Sequence, residues 1–378
     1  MKMVGIFLNP EIRTGGHRRY LEFLQSVADK GHQVSLIMNA DLQYDLRAIE
    51  QIRLPYGYKK KIVPYSLSNV SVLKRNLVAI RGQVTSADYI VIFGETHLLA
   101  GIFLKKKLNT KLLFALRSNG VVEAQVKRRE PGCRGKEKLK LTLSELKYKR
   151  YEKMFCKYSD RIVFQSTYDR NSFLSRNSHC SEKTTVISGN IGGRWFDPQF
   201  RDLNVSSSLR TVLFLGAVSV RKGIRYLVYA LKKMLAEGSD VQLRIAGEGD
   251  LQPELEEYAR RHNISEKITF LGKIRNTLEE TSQADLVVVP SIFDSYPNVI
   301  LEALHVGTPV IGAASGGIPD MLDAPSLFAP SDEEALFTLM VKLYNDPDEY
   351  RQLKQKQHEL KQKFDFDWAQ QFIDAMQQ

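Results

Sequence analysis

Long apolar runs are missing from this sequence: no stretch approaches the roughly 18 residues needed to cross a membrane. The opening Met1-Lys2-Met3-Val4-Gly5-Ile6-Phe7-Leu8 is too short an apolar run for a secretory signal. Both absences point to the cytoplasm, at most to a membrane surface. Cysteine is scarce as well. Cys133, Cys156 and Cys180 fit neither a disulfide framework nor a zinc spacing and are expected to be reduced bystanders. The Gly-x-Gly-x-x-Gly fingerprint is absent, which argues against a nicotinamide cofactor and a dinucleotide-dependent oxidoreductase. No convincing Asp/His cluster suggests a metal, so no metal and no cofactor are expected. With 43% apolar and 26% charged residues, the disordered and collagen-like classes are excluded. A chain of 378 residues suits two domains of ordinary size.

Positive charge is what the sequence has in excess, +11 overall, and it is unevenly spread. Lys127 to Lys153 holds eleven Lys/Arg against four Glu, a local +7. Such a run is read either as a solvated helix face or as a footprint for anionic lipid headgroups or a phosphate-bearing substrate, at about 1 kcal/mol per basic side chain near an anionic surface. Its "LKLTLSELKYKRYEKMF" alternates Leu, Tyr and Phe with Lys at helical spacing, as interfacial helices do. No recognised nucleic-acid-binding motif accompanies the charge, and nucleic acid is not an expected partner.

Short apolar strand-like runs alternate with amphipathic stretches. "MVGIFLN", "QVSLIM", "YIVIF", "TKLLFAL" and "DRIVFQS" fill the first half, and "TVLFLG", "VQLRIAG", "ITFLG" and "DLVVVPS" the second. This alternation marks βαβ units around a parallel sheet covered on both faces. The expected organisation is a first α/β domain over 1–190, a linker over 191–209 and a second α/β domain over 210–364. Two such domains facing one another make a cleft, with ligands at the carboxyl ends of the strands.

Several strand ends carry chemistry. Gly15 and Gly16 precede a helix, where backbone N–H groups and the helix dipole favour an anion, although a Gly-Gly turn is more often only a turn. In "FLGAVSVRKGIRYLVYAL", Arg221 and Lys222 stand before Gly223 and a helix, where a guanidinium and an ammonium can clamp a diphosphate. Gly247 and Gly249 again leave backbone exposed at a strand end. In "FDSYPNVILEALHVGTPVIGAASGGIPD", Asp294 falls in the loop after "DLVVVPS", while Glu302 is expected about two turns into a helix that Gly307 ends. The two acids would reach different parts of one bound molecule.

This arrangement resembles the retaining glycosyltransferases of family 4, with the GT-B fold of two Rossmann-like, doubly wound domains facing across a cleft. The family's E-x(7)-E motif is matched by Asp294 to Glu302, followed by "SGGIPD"; "KGHQVSLI", "RIVFQS", "LGAVSVRKG", "IAGEGDLQPELEE" and "ITFLGKI" occur in family order. The resemblance implies that Glu302 binds the ribose of a nucleotide-sugar donor and Asp294 the transferred sugar. It implies that Lys222 neutralises the diphosphate and Gly16 offers its N–H to it, with Arg221, Gly247, Asn298 and Val299 also at donor-binding positions. Its C-terminal helix, here 365–378, often packs back on the first domain, which gives Trp368 a structural role; Trp195 and Phe196 are expected to pack the hinge.

Three departures from the pattern stand out. The first motif acid is Asp rather than Glu. Ala217 stands where an Arg is common, with Arg221 able to replace it. Arg117 stands where the family has a His in the catalytic cleft, and arginine does not act as a base at neutral pH. Arg117 is kept as a catalytic-site residue that binds oxygens, with His97 and Asn119 as acceptor-side candidates. The expected activity is transfer of a sugar, from a UDP-sugar by family frequency, to a glycan or lipid-linked acceptor in surface polysaccharide or glycolipid assembly. The basic segment 127–153 would meet the anionic cytoplasmic membrane face as a peripheral contact. The alternative is a non-catalytic sugar- or nucleotide-binding protein with a decayed site.

Overall fold

The computed structural model describes residues 1–12, 15–55, 67–129, 133–192 and 196–378, so Trp195 lies outside the described residues. The chain divides into two compact units, one of Met1–Gln125, Arg134–Ser188 and Asp367–Gln378, the other of Val126–Cys133 and Gly189–Phe366.

The first unit holds seven parallel strands: β1 (Lys2–Phe7), β2 (Gln33–Asn39), β3 (Ile49–Leu54), β4 (Tyr89–Phe93), β5 (Lys111–Ala115), β6 (Arg161–Phe164) and β7 (Thr184–Val186). Their order is β3-β2-β1-β4-β5-β6-β7. The order reverses between β1 and β4, where Met3 pairs with Tyr89. Right-handed crossovers then send helices to opposite faces on either side of that point. The connecting helices are α1 (Gly15–Asp29), α2 (Leu67–Arg75), α3 (Leu77–Gln83), α4 (Leu98–Leu108), α5 (Gly120–Arg129), α6 (Gly135–Tyr158) and α7 (Thr167–Leu174). The central strands read "YIVIF" and "KLLFA" because residues covered on both faces have no reason to alternate with polar ones. The edge strand β3, "IEQIRL", does alternate, with Ile49, Ile52 and Leu54 buried and Glu50 and Arg53 exposed.

The second unit repeats the design with six parallel strands: β8 (Thr211–Leu215), β9 (Gln242–Ala246), β10 (Ile268–Gly272), β11 (Leu286–Val289), β12 (Val310–Ala313) and β13 (Leu327–Phe328). The order β10-β9-β8-β11-β12-β13 places the reversal between β8 and β11. Its helices are α8 (Ile224–Ala236), α9 (Gln252–Arg261), α10 (Thr277–Ser282), α11 (Asn298–Val306), α12 (Glu333–Asn345) and α13 (Pro347–Leu360). α8 buries Ile224, Leu227, Val228, Leu231 and Met234, an i, i+3, i+4, i+7 stripe laid on the sheet. The polar stretch before β8 is bound into this unit: Phe196 is 2% exposed in its core, and the Asp202 and Asn204 N–H groups donate to the His305 and Val306 carbonyls.

A last helix, α14 (Trp368–Gln377), belongs to the first unit. Trp368 meets the rings of Phe23 and Phe93 edge-on, with centroids 5.9 and 5.6 Å away, and the Arg19 guanidinium stands 4.7 Å over its indole. Phe372 stacks on Phe93 at 5.3 Å. Asp367 caps the helix by accepting from the Gln370 N–H and pairs with Lys30.

The cysteine expectation is corrected. Cys156, near the end of α6, and Cys180, in the turn before β7, form a disulfide with Cα atoms 5.7 Å apart, within the range a disulfide spans. Their separation of 24 residues carries no framework signature. What joins them is packing: α6 and the turn lie on one face of the sheet, and both cysteines sit in its core. Cys133 is unpaired.

Candidate active site

In the second unit four strand-end loops interleave. Gly247, at φ +141°, follows β9, and a Cβ there would sit 1.8 Å from the Gly216 carbonyl oxygen at the end of β8. Gly316, at φ +56°, follows β12, and its Cβ would sit 2.0 Å from the Asp294 carbonyl oxygen. Only glycine permits both the backbone angle and the contact. The Gly317 N–H then donates to the same Asp294 carbonyl at 2.9 Å. The "SGGIPD" turn thereby fixes the loop that carries the first motif acid.

Asp294 is 8% exposed and accepts a 2.5 Å hydrogen bond from the Lys222 ammonium, across 72 residues of sequence. Lys222 closes a single 3-10 turn that Gly223 ends at φ +67°. Arg221, next to it, spends one N–H on the Phe293 carbonyl at 3.3 Å, tying the β8 and β11 loops together. α11 follows, and Pro297 before it offers no capping side chain to the N–H groups of Asn298 and Val299. Glu302, 4% exposed, is the fifth residue of α11. It stands just over one turn into the helix at about 3.6 residues per turn, not the two expected. Ser291 Oγ, Ser295 Oγ and Asn298 Oδ1 are buried in this neighbourhood without a hydrogen-bond partner. Buried polar atoms are nearly always paired, and these three unpaired ones all lie in the loop and helix start that follow β11.

In the first unit the strand ends of β4 and β5 carry a second group. Arg117 follows β5, half-buried, with its guanidinium 5.7 Å from the Phe93 ring centroid. Burial and the Arg19 guanidinium push its pKa down, although arginine keeps its proton at neutral pH. Glu95 follows β4 and accepts a 3.0 Å hydrogen bond from Ser118. Burial raises its carboxyl to about 7, against the opposing pull of Ser118 and Arg117. Sequence reading passed over Glu95 for its neighbour His97; the available signal was an acid just after a strand-ending glycine, and Gly94 has φ +75°.

His97 is 3% exposed and accepts the Leu8 N–H at Nε2, 3.1 Å away. Burial first, and then His17, lower its pKa to about 3, so the ring is neutral. Asn119, 2% exposed, donates to Asp169 at 3.0 Å and accepts from the Val122 N–H. Both side chains are engaged in holding strand ends and a helix start. Gly16 lies half-buried in the first turn of α1; the two residues before Gly15 are outside the described ones.

Among the described residues, Cys156, His179 and Cys180 bring potential metal-ligand atoms within 4.8 Å of one another, but the disulfide leaves no thiolate to bind. A hollow of about 160 Å³ beside Asp202, Thr308, Lys354 and His358 is lined by neither motif acid. Lys354 there is already used on Asn204 and Ser206, and Asp202 on Lys361.

Residues 209–346 match the family model described as glycosyl transferases group 1. An uncharacterized glycosyltransferase of Methanocaldococcus jannaschii is 36% identical over 124 residues, 32% of this chain and 32% of that protein. The matched stretches span about a third to a half of the length of the curated relatives. Sucrose-phosphate synthase from Thermosynechococcus elongatus superposes over 100% of this chain and 98% of its own, with a TM-score of 0.77 at 21% identity. Anabaena HepE in complex with UDP-glucose superposes over 100% and 99%, with a TM-score of 0.72 at 15% identity. The stretch that carries Lys222, Asp294 and Glu302 thus matches the glycosyl transferases group 1 model, and the fold of the chain is that of the GT-B glycosyltransferases.

Proposed function

We propose that this protein is a retaining glycosyltransferase that moves a sugar from a nucleotide-sugar donor to a glycan or lipid-linked acceptor without a metal. The observation that carries the proposal is the Lys222–Asp294 pair, set among unpaired buried oxygens and beside the uncapped start of α11. In this reading the donor's diphosphate takes Lys222 from Asp294 and lies against the α11 N–H groups of Asn298 and Val299, where the helix dipole favours negative charge. Asp294, so released, accepts from hydroxyls of the transferred sugar, and Glu302 accepts from the ribose hydroxyls.

The anomeric carbon–oxygen bond to the diphosphate breaks, the acceptor oxygen bonds to the same face of the sugar, and the acceptor proton passes to the departing phosphate oxygen. The chain's task is to stabilise the anion that leaves, and fixed cations in a partly dry site do this without reorganising. A uridine donor is the favoured nucleotide, supported by the UDP-glucose bound to HepE. In this reading Arg117 binds an oxygen of the acceptor. The basic segment supports an acceptor carried on a lipid at the cytoplasmic membrane face, in surface polysaccharide or glycolipid assembly.

The test is thermal stabilisation by UDP, GDP and ADP sugars with NAD as control, followed by turnover of the donor that stabilises. A ligand at 100 times its dissociation constant adds about 2.7 kcal/mol. One donor class raises the melting temperature, Glu302→Ala abolishes most of that rise, and Lys222→Ala lowers turnover by about 100-fold. No shift with any nucleotide sugar sinks the reading. Binding without turnover favours the non-catalytic alternative, which the departures at Ala217 and Arg117 support.

A further inference from the structure

Helix α6 runs for 24 residues, about 36 Å at 1.5 Å per residue, and its two sides are unlike. Two of its three acids, Glu145 and Glu152, are on the inner side, while Glu137 is exposed in the first turn. Glu152 is 5% exposed and takes a forked pair from Arg176 at 2.6 and 2.9 Å, plus the Asn177 amide at 3.1 Å. Glu145, 6% exposed, is bound by Lys149 at 2.7 Å and the Gln125 amide at 3.0 Å. Phe155 and Cys156 enter the core beside them.

The outer side carries Leu139, Leu143 and Leu146, exposed by 61%, 57% and 52%. Their i, i+4, i+7 spacing makes one stripe. Lys136, Lys140, Lys147, Arg150 and Lys153 are exposed on the same side. At about 100° per residue the leucines and these bases share an arc of roughly 140°, on which no Asp or Glu falls. Isolated exposed leucines need no explanation, but three in register within a purely cationic frame do.

We infer that this face of α6 docks the protein on an anionic lipid bilayer, the leucines entering the headgroup–acyl boundary and the bases meeting the lipid phosphates. The pairing of the two features selects the partner. Bases alone suit any polyanion; leucines alone suit another apolar face; a stripe of leucines flanked on both sides by lysine and arginine matches an interface that is apolar within and negative at its rim. The inference stands apart from the proposed sugar transfer, because it is read out by lipid binding alone.

Flotation of the full chain with phosphatidylcholine vesicles, with and without phosphatidylglycerol, tests it. The protein floats only with the anionic vesicles and less at high salt. Leu139→Ser/Leu143→Ser/Leu146→Ser lowers the partition at least about tenfold, and Lys147→Ser lowers it about fivefold. Melting of these variants stays that of the parent, since the replaced side chains are exposed. Failure of the parent to float, or flotation unchanged in the triple leucine variant, overturns the inference. So does self-association through the leucines without lipid binding, or affinity for a nucleic acid that ignores the leucines.

Discussion

At the scale of single residues, Glu95 sets a pH dependence that no surface acid would. Its folded pKa of about 7 lies above that of an exposed glutamate, because burial disfavours the carboxylate. Between the unfolded and folded values the native state binds the extra proton, so stability falls as pH rises from about 4.5 to 7 and levels off above that window. Glu95→Gln, which keeps the contact with Ser118 but cannot ionise, is expected to flatten that fall, by roughly 1–3 kcal/mol across the window. Melting temperatures of both proteins at pH 5, 6, 7 and 8 check this; parallel curves would show that the carboxyl titrates normally. The spacing of Asp294 and Glu302 and the Arg-Lys-Gly after a strand were visible in sequence because each is local. The contacts of Lys222 with Asp294 and of Glu95 with Ser118 were not, since the fold alone brings together positions 72 and 23 residues apart. The engagement of His97 by the Leu8 amide was hidden for the same reason, and an exposed general-purpose histidine could not be told from a buried one.

At the scale of elements, the disulfide ties the end of α6 to the turn before β7 across 24 residues. Closing a loop of that length in the unfolded chain is worth at most about 3.5 kcal/mol. Replacing both cysteines by alanine is expected to lower the melting midpoint by several degrees, and adding reductant should move the parent in the same direction. A variant that melts with the parent would show that packing alone holds the two segments. Strand legibility followed burial. The doubly covered "YIVIF" and "LVVV" announced themselves as continuous apolar runs. β3 alternates with polar residues at a sheet edge, and β12 is the four-residue "VIGA", where Gly312 leaves room for Ile318; neither stood out from the surrounding loops. β13, at two residues, had no pattern to show.

At the scale of the whole molecule, the last dozen residues complete the unit that the first residues begin. Trp368 is central to that closure, packed among Phe23, Phe93 and Phe372 with Arg19 across its face. Trp368→Ala should cost about 3–5 kcal/mol, the range for a large buried aromatic, whereas Trp368→Phe should cost less because the indole N–H has no buried partner to lose. Urea unfolding of the three proteins distinguishes this from a peripheral helix, for which both variants would match the parent. Two α/β halves were legible from the restart of the strand pattern. The division inside α5, between Gln125 and Val126, was not, because nothing in the composition of one continuous helix marks such a boundary.

The placement of α14 also orders events during synthesis. A ribosome that has released Ser188 has made every strand of the first sheet, yet the rings of Phe23 and Phe93 lack Trp368 and Phe372 until Gly189–Phe366 has also been translated. At roughly 5–20 residues per second that delay is on the order of ten seconds or more. Throughout it the nascent chain carries an uncovered aromatic seam, the kind of surface that chaperones hold, while the later-made half is free to fold first.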